Sequence, residues 1–468
     1  MFDQQSEPLA VLANQKAQES SNDEYSSLSS EDEDSSGSEF MEEDFGDDED
    51  RKKPPVVRSS GSRSRELSKE RFLPLPEATT WSIEQKKQFK DVTVFAEWQP
   101  LKSEWTLLNE MERKAYEPIT MESIEFQREA ESGRLSQKVK LKRYSSFALN
   151  SDEKVTTFFT GGPVWAANWC PLPLECTSAN QYIAISCHRD YETTHTYDDL
   201  YSEKGMIQLW CFKILNKKRQ YSLPYLSLGI AHEFGAIWDM KWCPSGAWED
   251  VQQSGKEVSR LGLLALSCSD GTVRILSICH PECTDDESFP VYKMKPSAVL
   301  KPTPTVSSQC KCLDWSPDIN HRKLAAGFTD GLVVLWDLMT SSPLLKTSSG
   351  TSPECFYPYH SLRAHENYIT DLNWCKHSET YMVTSGGDRY LKTVGGQFPL
   401  GLHYVENGFF GAKRSYLAPL NSCVWSVSFS EWLNVVACGD SVGMVIAIVL
   451  SNMITKYSRH AKHHMEDL

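Results

Sequence analysis

The sequence predicts an all-β domain made of one small antiparallel sheet repeated along the chain, and three observations predict it. An eight-residue phrase returns five times: VWAANWCP from Val164, IWDMKWCP from Ile237, CKCLDWSP from Cys310, ITDLNWCK from Ile369 and VWSVSFSE from Val424. Its sixth place is always aromatic, as Trp169, Trp242, Trp315, Trp374 and Phe429. Apolar residues alternate through each copy, from Val164 to Ala166 onward, which is the period of a strand with two unlike faces. After each copy, small or β-branched residues lead into an acidic turn, at Asp190, Asp270, Asp330, Asp388 and Asp440. In the second and third copies Gly271 or Gly331 follows the acid directly, as a tight hairpin requires. A third strand comes next, clearest as GMIQLWCF with Trp210 and GLVVLWDL with Trp336.

Three strands of a four-stranded unit are thus readable, and Trp336-Asp337 closes one copy. That order resembles the WD-repeat β-propeller, whose blades are small antiparallel sheets set around an axis. One such sheet cannot bury both faces alone; neighbours must cover them, so the stack of sheets is the core. Five blades are clear, and six or seven are expected if the propeller closes. Either residues 72–150 add a degenerate blade or the chain is a shortened form, since ITKYSRHAKHHMEDL carries no recognisable strand; an open propeller would expose a blade face. Successive phrases are separated by roughly 73, 73, 59 and 55 residues against about 40 to 45 for a compact unit, so insertions are expected. They fall at His188 to Glu203, Trp248 to Arg260, Cys279 to Pro296 and Thr340 to Tyr359, polar or Pro/Ser-rich loops of the kind that carry binding.

The chain divides accordingly into 1–71, an acidic then basic tail; 72–154, an extension packing on the propeller; 155–450, the propeller; and 451–468, a C-terminal tail. The net charge of -15 over 468 residues is concentrated at the N-terminus, where roughly 17 carboxylates and one lysine occupy the first fifty residues. Such a segment buries too little apolar surface to offset the entropy of ordering and reads as disordered. Ser29 and Ser30 precede Glu31-Asp32-Glu33-Asp34, a setting for acidophilic phosphorylation. Asp44-Phe45-Gly46 has no kinase sequence around it. Arg51, Lys52, Lys53, Arg63 and Arg65 follow, a candidate nuclear signal or mobile phosphate contact, or else a linker balancing the acid before it. In the extension Trp81, Val94, Phe95, Trp98 and Trp105 are too apolar to stay in water. Glu104 to Tyr116 reads as a short helix, and Lys138 to Tyr144 as an edge strand completing the last blade.

Catalysis is not indicated: no Gly-rich phosphate loop, GxSxG elbow or HExxH pair occurs, so no catalytic, cofactor or metal residue is assigned. Cys279, His280, Cys283, Cys310 and Cys312 are too irregular for a zinc site, with Cys310 and Cys312 read as neighbours on one strand face. The fourteen cysteines read as reduced, buried thiols, Cys170, Cys243 and Cys375 holding one repeated place beside the sheet. His232 and His365 each precede a phrase and read as structural; Ser267 and Asp270 are the expected partners of His232, with Leu276 where a WD unit has Trp. His460, His463 and His464 read as a solvated tract. The best apolar run, Val435 to Leu450, is interrupted by Gly439, Asp440 and Gly443, so no membrane span is expected.

FFTGGPVWAANWCPLP from Phe158, YIAISCHRD, GMIQLWCF and IWDMKWCPSGAW go beyond a generic propeller and resemble the WD-repeat subunit of transcription factor IIIC of RNA polymerase III. The resemblance covers roughly residues 155–450. It implies a nuclear, non-catalytic scaffold that pairs with a second propeller-bearing subunit and helps recognise the internal promoters of transfer RNA and 5S genes. The near-neutral folded part implies that promoter DNA is met mainly through the complex, without membrane or small-molecule substrate. The alternative is a WD-repeat adaptor of a chromatin-modifying or ubiquitin-ligase complex.

Overall fold

The computed structural model describes Glu84 and residues 92–449 apart from short stretches, the longest being 149–155, 213–222, 252–257, 282–288 and 396–412. The tail 1–71, with Ser29, Ser30, Arg51, Lys52, Lys53, Arg63 and Arg65, lies outside the described residues, as do Trp81, Cys283 and 451–468.

Each repeated phrase forms the first strand of a sheet. Val164–Trp169 opens sheet one, continued by Gln181–Cys187, Gly205–Phe212 and Tyr225–His232. Ile237–Trp242 opens sheet two, with Arg260–Cys268, Val273–Cys279 and Ala298–Leu300. Sheet three runs Cys310–Trp315, Lys323–Phe328, Leu332–Asp337, His360–Arg363; sheet four Ile369–Trp374, Tyr381–Gly386, Tyr390–Gly395, Lys413–Pro419; sheet five Val424–Ser430, Val435–Asp440, Val445–Val449. Pairing along these chains of strands is antiparallel, and first strands of successive sheets pack side by side. This is the WD-repeat, nearly all-β architecture.

Two insertions return to an earlier sheet. Val291–Met294, from the connection inside sheet two, pairs parallel with Tyr225–His232 of sheet one, and Trp105–Leu107 then pairs with it. Glu354–Phe356, from the connection inside sheet three, pairs parallel with Ala298–Leu300 of sheet two and carries Lys346–Thr347 on its far side.

Four apolar clusters fill the spaces between sheets. One joins sheets one and two through Ile207, Leu209, Met240 and Trp242; another joins two and three through Leu263, Leu313, Trp315 and Trp336. The third joins three and four through Val333, Leu335, Leu372 and Trp374, and the fourth joins four and five through Val383, Leu391, Val427 and Val436. At about 25 cal/mol per Å² of apolar area, each fully buried indole or leucine contributes a few kcal/mol here.

Strict alternation along the phrases does not hold. All five first strands carry a register shift between their first and third residues, as between Ile237 and Asp239 and between Cys310 and Cys312. The bulge sends the first, fourth and sixth residues to the preceding sheet and the third to the following one. Cys310 therefore lies in the cluster with sheet two and Cys312 in the cluster with sheet four, not together on one face.

The extension also departs from expectation. In place of a helix over 104–116 there is a turn at Lys102–Glu104, the strand Trp105–Leu107 and a short helix Glu110–Arg113. β-prone Trp105-Thr106-Leu107 meets the free edge of Val291–Met294, and the helix starts only where Asn109 and Glu112 form a capping box. Lys138 to Tyr144 does not complete the last sheet: Val139 and Lys142 bridge to Phe126 and Glu122 nearby in sequence. Val94, Phe95 and Trp98 are buried in the cluster of sheets two and three, where Arg260, wholly enclosed, donates to the carbonyls of Val94, Phe95, Trp98 and Ala247.

Candidate functional site

The repeated aromatic forms a latch between sheets. The indole of Trp242 donates to the carbonyl of Asn168 at 3.1 Å, that of Trp315 to Lys241 at 3.0 Å, and that of Trp374 to Asp314 at 3.2 Å. In each case the acceptor is the residue just before the equivalent aromatic of the preceding sheet. First strands are edge strands, whose outward N–H groups need acceptors when covered. A side chain of the preceding sheet supplies one each time: Asn168 for Trp242, Asp239 for Leu313, Asp314 for Trp374 and Asp371 for Val427. The acceptor alternates between the fifth and third places of the phrase.

Trp210, Trp315, Trp336 and Trp374 are fully buried, Trp242 is nearly so, and Phe429 packs half-buried in the last cluster. Trp169 is different, at 48 % exposed beside an exposed Val164, on the face of sheet one that no sheet covers among the described residues. The turn acids do what a hairpin needs. Asp270 accepts from Thr272 N–H and pairs with Arg274, Asp330 accepts from Leu332 N–H, and Asp440 from Val442 and Met444 N–H. Gly271 and Gly331 take the left-handed φ of +82° and +85°, while the fourth turn places Arg389 there at 65°.

Sheet four holds a polar network at its entry. His365 faces Asp388 at 2.8 Å and Thr384 at 2.9 Å, and Lys392 reaches Asp388 at 2.7 Å. Burial opposes ionisation of Asp388, but His365 and Lys392 outweigh it and hold the carboxyl well below its usual range. His232 lacks the partners expected for it: Ser267 donates to the carbonyl of Asp239 and Asp270 is taken by Arg274. Burial drives the His232 imidazole down to about 3, so it is neutral. His280 bonds the carbonyl of Glu249, and the described cysteines are thiols outside any disulfide.

The insertion from His188 to Glu203 is the feature that gathers chemistry. It leaves sheet one and crosses its neighbours as a strap. Tyr201 N–H donates to the Ser269 carbonyl of sheet two, and Gln309, at the start of sheet three, donates to the Asp199 carbonyl at 2.6 Å. Thr329 donates to the Tyr197 carbonyl, and the Tyr197 ring stacks on Tyr368 before sheet four at 4.6 Å. Beneath the strap, Lys311 Nζ lies 3.4 Å from the Trp238 ring centre, with Trp165 and Tyr197 at 5.4 and 5.3 Å. Burial lowers this ammonium to about 8, and cation–π attraction offsets part of that cost. His188 and His195 lean on Trp238 at 5.6 and 5.5 Å, and His195 Nε2 meets Glu203 Oε1 at 2.6 Å. One donor atom from each of His188, His195 and Glu203 lies within 4.8 Å of the other two. Neither the strap cluster nor the alternate-place acceptors were named from sequence; the Asn or Asp at the third or fifth place of the phrase was a readable signal for the latter.

A cleft of 110 Å³ beside the strap is lined by His188, Glu203, Lys204 and His232 among others. That is well under the roughly 300 to 1,000 Å³ of a small-molecule site. Val164, Trp165, Trp169 and Trp425 are exposed apolar groups on first strands of sheets one and five.

The WD domain, G-beta repeat family matches residues 225–277, 296–337 and 356–393. Each matched unit begins on the outer strand of one sheet and continues into the next sheet, so each repeat ties two sheets covalently. General transcription factor 3C polypeptide 2 of Homo sapiens is 35% identical over 418 residues, covering 77% of this chain and 45% of that protein. Its namesake in Pongo abelii is 35% identical over the same length and shares. Transcription factor tau subunit sfc6 of Schizosaccharomyces pombe is 24% identical over 292 residues, covering 61% of this chain and 42% of that protein. The chain spans about half the length of the curated relatives it matches.

Proposed function

We propose, for a chain that carries WD domain, G-beta repeats and is similar to general transcription factor 3C polypeptide 2, the role of a non-catalytic scaffold subunit of the transcription factor IIIC complex. It assembles with a partner subunit bearing a second propeller and helps the complex recognise the internal promoters of transfer RNA and 5S genes in the nucleus. The observation that carries this reading is the 35% identity over 418 residues. Latched sheets give a rigid body, and loops that cross it offer contact surface, which suits assembly.

In this reading promoter DNA is met through the complex, and Arg51, Lys52, Lys53, Arg63 and Arg65 serve as a nuclear signal or auxiliary phosphate contact. Phosphorylation at Ser29 and Ser30 would deepen the charge of the tail. Affinity purification of the tagged chain from nuclear extract tests the role. Recovery of polymerase III factors with transfer RNA gene DNA is expected, whereas recovery of ubiquitin-ligase or histone-modifying subunits instead would favour the adaptor reading and refute this one.

A further inference from the structure

We propose that His188, His195 and Glu203 form a zinc-binding site that staples the two ends and the middle of the strap. Three features carry it. The donors are of the kind zinc takes, two imidazoles and one carboxylate, and they converge within 4.8 Å. They come from the first, middle and last parts of one insertion, so a shared ion closes a loop that is otherwise held by scattered bonds. The imidazoles are also pre-oriented. The His188 ring meets Trp165 at 5.4 Å and His195 at 5.0 Å, and the His195 ring meets Tyr201 at 4.7 Å and has a side chain only 3% exposed. Rings fixed in this way lose little freedom on binding a metal.

The required movement is at most about 1.5 Å, since the three donor atoms stand within 4.8 Å of one another. Zinc holds nitrogen and oxygen ligands at about 2.0 to 2.2 Å, so two ligand atoms in a tetrahedral site stand about 3.3 Å apart. The His195–Glu203 contact of 2.6 Å must open by less than an ångström, and the hydrogen bond it now makes is replaced by two metal bonds. Besides His195, the charged groups acting on His188 are Glu203 and Asp190, which favour a cation there, and Lys311, which opposes it. The two carboxylates outweigh the ammonium, which is turned onto the Trp238 face. Three protein ligands leave the fourth position to water, with the strap between His188 and Glu203 as the ordered element. Neither the scaffold role nor the family requires this ion.

The full chain, stripped with chelator and shown folded by circular dichroism, is titrated with zinc by calorimetry and with cobalt(II) by absorption. One zinc per chain is expected, together with cobalt bands lacking thiolate charge transfer and slower hydrogen exchange across 190–202. Glu203→Gln retains an acceptor for His195 and so keeps the fold, yet lowers zinc affinity by more than about 10-fold, the loss that even an outer-shell change produces. His188→Gln does the same. Three results would each overturn the proposal: no stoichiometric uptake, uptake indifferent to both substitutions, or a cobalt spectrum dominated by thiolate, which would place the metal on cysteines. In any of these cases the His195–Glu203 contact is an ordinary hydrogen bond.

Discussion

Removing the Asp314 carboxylate tests the latch between sheets most directly. Asp314 is 6% exposed, and its carboxylate accepts from Trp374 N–H at 2.8 Å and from Trp315 N–H at 3.0 Å. Lys376 Nζ approaches at 3.1 Å with a side chain 27% exposed. In Asp314→Ala both backbone donors stay covered by the neighbouring sheet without an acceptor. At about 1.5 to 3 kcal/mol per hydrogen bond to a charged group, less what relaxation and water recover, the loss is about 3 kcal/mol. Asp314→Asn keeps one acceptor oxygen and costs about half as much. Lys376→Met removes only a partly solvated ion pair and costs under about 1 kcal/mol. Urea unfolding followed by tryptophan fluorescence reads all three, because Trp315 and Trp374 are fully buried and report the interface itself. The ordering alanine, then asparagine, then Lys376→Met is the prediction. If Lys376→Met proves as costly as Asp314→Ala, the ion pair and not strand satisfaction holds the sheets. If Asp314→Ala falls within the roughly 0.5 kcal/mol of an ordinary surface change, the latch has no energetic content.

The other latches and contacts give related expectations. Burial raises the Asp239 carboxyl to about 6, above its unfolded value of about 4, so its contribution is full below pH 4 and is lost as pH rises to 6; in urea melts the wild type should lose stability relative to Asp239→Asn across that window, and parallel curves would refute it. Lys311 is lowered to about 8, so Lys311→Met should be most favourable relative to wild type below pH 8, with the gap narrowing from pH 8 to 10 as the unfolded lysine also discharges; thermal melts check this, and a gap that widens would contradict it. Arg260→Met leaves the carbonyls of Val94, Phe95, Trp98 and Ala247 without their donor and should cost about 3 kcal/mol, with protease cleavage appearing first within 92–100. Trp374→Phe loses the indole bond to Asp314 and should cost about 1 kcal/mol or slightly more, measured in the same melts, since Phe429 already occupies the equivalent place without such a bond.

The phrases were legible because a first strand must present an aromatic to the sheet before it, and that demand recurs wherever a sheet recurs. The acidic turns were legible for a local reason, Asp or Gly satisfying a hairpin within four residues, as Asp330 and Gly331 do. The bulge was not, because a period of two read from Val164 and Ala166 assumes a flat strand. One inserted residue at the second place reverses every face assignment before it while leaving the composition unchanged. The strap cluster was illegible for another reason. His188, His195 and Glu203 are unremarkable at their spacings, and only the packing against Trp165 and Trp238 from two different sheets brings the rings together. The pairing of Val291–Met294 with Tyr225–His232 joins elements from different sheets, so no local pattern announces it.

The insertions answer the edge problem in two ways, and the difference bears on which surfaces are free. The outer strand of sheet one, Tyr225–His232, is long and almost wholly buried, and that of sheet two, Ala298–Leu300, is buried throughout. Left bare, either would offer a template for pairing with another chain. Each is instead covered by a strand inserted from the next repeat, Val291–Met294 over the first and Glu354–Phe356 over the second. Sheets three and four end without such cover among the described residues. His360–Arg363 is short and half-solvated, which discourages an added strand. Strand addition is therefore opposed at the outer edges of sheets one to three, whereas Val445–Val449 ends sheet five without cover among the described residues. Side-chain contact is offered on the strap with its stacked Tyr197 and Tyr368 and on the uncovered face with Val164 and Trp169.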